Sequence, residues 1–233
     1  MFKILAMFFF FINFFSIELR SSFDILEKTE LELYEEAITL FNSNQYKQTI
    51  RIANKIEDLY PLSYSAMNAQ LLSGVSNYNI GDYNSAGNII SNFIDMYPKS
   101  EQISYAYYLR ILSYYMQIKK IKLEQGTAYK TLELANEYVN LFPDNKYVDD
   151  VKEKLVLIKQ HIRISEFSIG KFYFKRGEYL AAIKRFQSIV NNYQDSKEDC
   201  PSKLLHYLVK SYIALGITLE AKQYASLCTE DNT

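Results

Sequence analysis

The sequence predicts an all-α protein built as an array of about five helix-turn-helix units. Three observations carry this. After residue 30 a pattern recurs: a helix rich in aromatic and small residues, a turn, a tyrosine, a small residue three further on, and a second helix. The small residues at the matching position are Thr49, Ala86, Thr131, Ala182 and Ala221, separated by 37, 45, 51 and 39 residues. The composition, 7 Gly and 4 Pro against 21 Tyr and 15 Phe, disfavours disorder and loop-rich β folds and suits packed helices.

The first unit reads "LYEEAITLFNSNQYKQTIRIANKIEDLYP", with Asn44 at the turn, then Tyr46, Thr49 and a closing Pro61. The second, "QLLSGVSNYNIGDYNSAGNIISNFIDMYP", turns at Gly81 and continues with Tyr83, Ala86 and Pro98. A looser third pairs "YAYYLRILSYYMQI" with "TAYKTLELANEYVNLFP", which carries Thr131, Ala135 and Pro143. The fourth, "EFSIGKFYFKRGEYLAAIKRFQSIVNNYQ", holds Gly177, Tyr179, Ala182 and Phe186. The last, "LLHYLVKSYIALGITLEAKQYASLC", holds Gly216 and Ala221, with Leu219 in place of the tyrosine. Each residue type has a mechanical reason. Glycine enters positive φ at the end of a helix without a Cβ clash. A small residue lets two helix backbones approach, and proline stops the second helix.

These units resemble tetratricopeptide repeats, whose period is about 34 residues, slightly stretched and with longer links in the middle. The resemblance implies a superhelix in which each unit buries its apolar face against its neighbours. The first helix of each unit then lines the concave side. Tyr34, Ile38 and Phe41 are expected there in the first unit, and Leu71, Val75 and Tyr78 in the second. That predicts a groove for an extended apolar or aromatic peptide over residues 30–143. The alternative reading packs several of these side chains against the next helix.

No catalytic constellation is present. The sequence has no Gly-rich phosphate loop, no His-Glu-x-x-His and no nucleophile elbow. His161 lies beside Lys159 and Arg163 and reads as a solvated helix face; His206 reads as a surface or satisfied core residue. Glu35-Glu36 and Asp149-Asp150 are sequence neighbours, which a helix splays apart, so they read as solvated charge. A non-enzymatic binding protein without cofactor or metal is expected. The formal net charge of -1 argues against a nucleic-acid partner. Cys200 and Cys228 suit neither a disulfide framework nor a zinc site. Each reads as a small apolar residue, with a disulfide between them left open.

Residues 1–22, "MFKILAMFFFFINFFSIELRSS", form a separate segment. Lys3 supplies a positive start, and Ile4 to Ile17 is a nearly unbroken apolar run of 14 residues. That length suits a secretory signal better than a membrane span. Cleavage after Ser16 would place Phe14 at −3, a poor site, so an uncleaved anchor stays open.

The order of motifs is more specific than generic repeats. An apolar N-terminus precedes "LYEEAITLFNSNQYKQTI" and "LYPLSYSAMNAQLLSGVSNYNIGDYNSAGNIISNFIDMYP"; "SYAYYLRILSYYMQI" and "LFPDNKYVDDVKEKLVLIKQHIRISEFSIGKFYFKRGEYLAAIKRFQSIVNNY" follow. Over residues 30–230 this resembles the BamD family of outer-membrane β-barrel assembly factors. The resemblance implies a protein on the periplasmic face of a Gram-negative outer membrane, within the barrel assembly complex. The expected partners are a BamA-like barrel insertase, other subunits of that complex and unfolded outer-membrane proteins. By this resemblance, repeats 1–3 (30–143) receive the C-terminal signal of the unfolded substrate and repeats 4–5 (150–230) dock on the insertase. Tyr60 matches the first "YP" corner, implicated in substrate recognition, and joins Tyr34, Phe41 and Tyr78 as candidate peptide contacts. Arg185 matches the arginine after the small residue of the fourth repeat and is the candidate partner contact. The two local alternatives are helix-end packing for Tyr60 and a solvated charge for Arg185. One departure stands out: the family is lipidated on an N-terminal cysteine, and this sequence has none before Cys200. Outer-membrane association without a lipidated cysteine is therefore expected, through the partner or through a retained apolar N-terminus. A different exported repeat scaffold, for envelope or division coordination, is the competing reading.

Overall fold

The computed structural model describes residues 28–120, 125–192 and 202–226. The apolar N-terminal segment, Cys200 and Cys228 lie outside these described residues. Ten helices are found among them and no strand. They are α1 (Glu30–Asn42), α2 (Tyr46–Leu59), α3 (Tyr64–Asn79), α4 (Tyr83–Met96), α5 (Ile103–Lys120), α6 (Gln125–Leu141), α7 (Val148–Lys175), α8 (Tyr179–Asn192), α9 (Ser202–Ala214) and α10 (Thr218–Ser226). The all-α expectation holds, and so does the helix-turn-helix repetition. Two compact units divide the chain at Asp82 and Tyr83.

The turns explain why the pattern recurs. At Asn44, Gly81, Gly177 and Gly216 φ is positive, between 58° and 80°. In all four the turn residue's N–H reaches back three residues and the next N–H reaches back five. Gly177 N donates to Phe174 O at 3.1 Å and Glu178 N to Tyr173 O at 3.0 Å; Asn44 N and Gln45 N repeat this on Phe41 O and Leu40 O. This is a left-handed helix C-cap that satisfies orphan carbonyls and reverses the chain. Thr218 opens α10 where tyrosine opens α2, α4 and α8. The structural counterpart of that tyrosine is therefore Thr218, and Leu219 is exposed.

In the first unit, α1 starts at a capping box. Thr29 N–H donates to the Glu32 carboxylate at 2.8 Å, and Glu32 N–H donates to Thr29 Oγ1 at 3.3 Å. The bond from the Thr29 backbone holds the Glu32 carboxyl below its ordinary range. Leu33 and Ala37 of α1 meet Ile52, Ala53 and Ile56 of α2 and Ala66 and Ala69 of α3. Ser63 caps α3, its hydroxyl accepting from Ala66 N–H at 3.0 Å. Three buried polar residues on α3 return hydrogen bonds to their own helix: Asn68 Nδ2 to Tyr64 O, Ser76 Oγ to Leu72 O and Asn77 Nδ2 to Ser73 O.

In the second unit, each helix from α4 to α10 packs on the next. The small repeat residues Ala86, Thr131 and Ala182 are fully buried, as is Thr49 in the first unit. Side-chain bonds tie α5 and α6 to the start of α7. Tyr108 stacks on Tyr147 with centroids 4.3 Å apart, and its hydroxyl donates to Asp150 Oδ2 at 2.8 Å. Tyr138 donates to Asn145 Oδ1 at 2.9 Å, and Asn145 Nδ2 donates to Ser104 at 3.1 Å. Burial pushes the Asp150 carboxyl up, but bonds from Lys154 and Tyr108 outweigh it and hold it below its ordinary value. Asp150 is thus a connector, while Asp149 remains solvated.

Helix α7 accounts for the longest repeat spacing. It runs 28 residues without a break, roughly 42 Å at 1.5 Å per residue. The charged stretch "VKEKLVLIKQHIR" and the first helix of the fourth unit are one continuous rod. Among the described residues no helix is long and apolar enough to cross a membrane.

Candidate functional site

Two places gather the candidate residues, one in each unit. In the first unit, Tyr34 and Tyr60 pack partly buried on one core. Burial, aided by the neighbouring Tyr64, raises the Tyr34 phenol above its ordinary value. Tyr60 ends α2, and its hydroxyl donates to Lys28 O at 2.9 Å. The hydroxyl is therefore occupied, and the ring braces the α2–α3 corner against the start of α1. The corner itself, "YPLSY", is unusual. Leu62 has φ 65°, a left-handed conformation uncommon outside glycine and asparagine. Leu62 and Tyr64 are 77% and 75% exposed. Leu31 is exposed as well.

The other first-unit candidates are dispersed. Phe41 stands edge-on to Tyr46 at 5.5 Å, near the α1–α2 turn. Tyr78 is half-buried on the last turn of α3. Leu71 is a buried core residue and lines no open face, because ten of the 16 residues of α3 are buried. The local packing alternative therefore holds for Leu71. The residues that sequence reasoning missed are Leu62 and Tyr64. The signal was a bulky apolar residue between Pro61 and the helix-capping Ser63, where no helix face can absorb it.

In the second unit Arg185 projects from α8 toward α7. Its Nη1 donates to Glu166 Oε1 at 3.1 Å and Oε2 at 3.2 Å, and to Gln125 Oε1 at 3.1 Å. Tyr129 of α6 also donates to Glu166 Oε1, at 3.2 Å. Glu166 is 2% exposed, and the Arg185 side chain is 38% exposed. Burial, reinforced by the Glu166 charge, raises the Tyr129 phenol above its ordinary value. The solvated-charge reading of Arg185 is therefore incomplete: the guanidinium is half in an internal ion pair joining α7 and α8, with Gln125 and Tyr129 of α6 alongside. Tyr129, Tyr173, Lys184, Arg185 and Ser188 line an open cleft of about 390 Å³ above Glu166. Glu166 was legible in principle. It lies four and eight residues after the buried Ile162 and Ile158 and four before the buried Gly170, in phase with the core face.

Neither place assembles a nucleophile with a base, and the described residues include no cluster of three or more metal-ligating side chains. His206 is exposed, and His161 is half-buried on α7. Left-handed turns joining antiparallel helices over fully buried small residues define a tetratricopeptide-type repeat protein whose surfaces can bind other molecules. More narrowly, the chain belongs to the YfiO family, described as outer membrane lipoprotein, whose profile matches residues 26–227. It is similar to the outer membrane protein assembly factor BamD of Rickettsia prowazekii, at 34% identity over 195 residues, covering 84% of this chain and 77% of the relative. The BamD of Caulobacter vibrioides is 26% identical over 85% of this chain and 65% of the relative. That of Neisseria meningitidis serogroup B is 27% identical over 71% and 66%.

Proposed function

We propose that this chain is a non-catalytic part of the machinery that assembles β-barrel proteins into the outer membrane of a Gram-negative bacterium, working on the periplasmic face. The observation that carries the reading is the family match across residues 26–227, with 34% identity to a relative named as an outer membrane protein assembly factor. The first unit receives the C-terminal signal of an unfolded barrel protein, and the second couples it to a BamA-like insertase. Binding alone drives this sequence: an extended segment places alternate side chains on one side, and apolar ones gain by covering Leu62, Tyr64 and the rings of Tyr34 and Tyr60. Phe41 and Tyr78 extend the receiving surface. On the second unit the cleft around Arg185 and Lys184 offers positive charge to the insertase, with Glu166 setting the position of Arg185.

The test is a pull-down of the tagged full chain from cell envelopes, combined with depletion. The expected result is co-purification of a large β-barrel protein with periplasmic domains, and loss of folded barrel proteins on depletion. Co-purification with division or cell-wall proteins, with barrel levels unchanged, would overturn the reading.

A further inference from the structure

The first unit leaves its most apolar surface at the place where the described chain begins. Among its described residues the three most exposed large apolar side chains are Leu62, Tyr64 and Leu31, at 77%, 75% and 60%. They gather at one end of the unit. Leu31 lies on the first turn of α1, Leu62 in the α2–α3 corner and Tyr64 at the start of α3. Helix α3 packs on α1 as well as on α2. Tyr34 follows Leu31 by one turn on neighbouring positions of α1, and it lies near enough to Tyr64 for that phenol, after burial, to help raise its own.

The chain enters α1 at the edge of this patch. The Tyr60 hydroxyl donates to Lys28 O at 2.9 Å; Tyr60 stands two residues before Leu62, and Lys28 three before Leu31. The five residues that precede Lys28 are Phe23, Asp24, Ile25, Leu26 and Glu27, three of them apolar. They follow the apolar run that ends at Ile17, so they stay on the chain if that run is removed. Extended, five residues span about 17 Å. Packed helix axes lie roughly 8–10 Å apart, so the stretch can cross from the start of α1 to Tyr64.

A second copy of the chain could also cover the patch, but the tether favours the neighbouring residues. A segment joined directly to its site is present at roughly millimolar effective concentration, whereas a second copy has to supply that concentration itself. We infer that residues 23–27 seat on the Leu31, Leu62 and Tyr64 patch of their own chain, and that an incoming apolar peptide has to displace them. The second half of this rests on the proposed role of the first unit as the receiving surface. A self-contact of about 0.1 mM strength is filled about ten to one at that effective concentration, and a peptide then binds about tenfold more weakly than it does to the bare patch.

The test uses the full chain isolated from cell envelopes, with Leu62→p-benzoylphenylalanine as a photo-reactive probe. Irradiated without any barrel protein, the monomer forms an internal adduct. Trypsin, cutting after Arg20 and Lys28, places it on the peptide 21–28. The same probe at Ile80 forms none, because Ile80 follows the far end of the 16-residue α3, roughly 24 Å away. In a second measurement, a synthetic peptide copying the C-terminus of an outer-membrane β-barrel protein is titrated by fluorescence anisotropy. Phe23→Ser combined with Ile25→Ser and Leu26→Ser binds it about tenfold more tightly than the native chain does. Absence of the 21–28 adduct overturns the inference, and so does equal peptide affinity in the two proteins. An adduct joining two copies overturns it in favour of self-association. If the 21–28 adduct forms and neither protein binds the peptide, the seat of the segment is upheld and the capture role of the first unit is refuted.

Discussion

Arg185 offers the sharpest test of the second unit, because the structure gives its two sides unequal exposure. Removing the guanidinium in Arg185→Ala leaves the Glu166 carboxylate 2% exposed, with the Tyr129 hydroxyl at 3.2 Å as its remaining donor. Stranding a buried charge costs about 3–5 kcal/mol. The Arg185 side chain is 38% exposed, so water enters the vacated space, and the low end of that range, about 3 kcal/mol, applies. Glu166→Gln is milder. The amide oxygen still accepts from Arg185, and the guanidinium can turn outward to solvent, so the loss is about 1 kcal/mol, that of one weakened hydrogen bond. At about 2–4 °C per kcal/mol for a domain of this size, Arg185→Ala lowers the melting midpoint by about 6–12 °C and Glu166→Gln by about 2–4 °C. Arg185→Met combined with Glu166→Leu recovers much of the loss, since neither charge is left stranded. Thermal unfolding followed by circular dichroism measures all three. If Arg185→Ala is as stable as the wild type, or Glu166→Gln is the worse of the two, the internal pair is not what holds α7 and α8 together. Arg185→Glu is a poor probe of partner docking for the same reason: it sets a second carboxylate against Glu166.

Gly170→Ala should destabilise despite the better helix propensity of alanine. A Cβ there would overlap the Phe186 ring at Cε1 and Cδ1, and that ring is boxed in by Phe167 and Tyr207. Overpacking of about 1–3 kcal/mol outweighs the roughly 0.5–1 kcal/mol propensity gain, which a melting curve checks. Alkaline unfolding should show the Tyr138 phenol, which burial and the nearby Tyr147 push up to about 12. The unfolded phenol releases its proton near 10, so this contribution is complete below pH 10 and lost as pH rises through 12. Tyr138→Phe flattens that part of a stability-versus-pH curve, although Tyr34, Tyr129 and Tyr212 shift the same way. Tyr60→Phe removes the bond to Lys28 O and loosens the first turn of α1, read as faster amide exchange over residues 30–33. Leu62→Ser with Tyr64→Ser leaves melting within about 2 °C yet cuts cross-linking to an unfolded barrel substrate several-fold.

Much of the fold was legible because the repeat writes its constraints locally. Gly81, Gly177 and Gly216 each occupy the left-handed turn their position implied, and Thr49, Ala86, Thr131 and Ala182 each lie fully buried at a helix crossing. The continuity of α7 was less visible. "VKEKLVLIKQHIR" and "SEFSIGKFYFK" have different face compositions, and only the absence of a breaker between them marks one rod. Arg185 was found by motif, but its tie to Glu166 depends on residues 19 apart and on Gln125, 60 apart, which no local pattern encodes. Leu71 was misplaced for a related reason. Repeat position puts it on a first helix, yet α3 is filled with serine, alanine, glycine and asparagine, and such small residues let α1 and α2 pack closely on it.

The most direct test of the central claim is a reconstitution: a BamA-like insertase from the same organism in vesicles, given an unfolded outer-membrane β-barrel protein with and without this chain. The account predicts that the chain raises the yield of folded barrel, and that a substrate lacking its C-terminal signal gains nothing. Equal yields with and without the chain, or equal gains for the intact and truncated substrates, would contradict it.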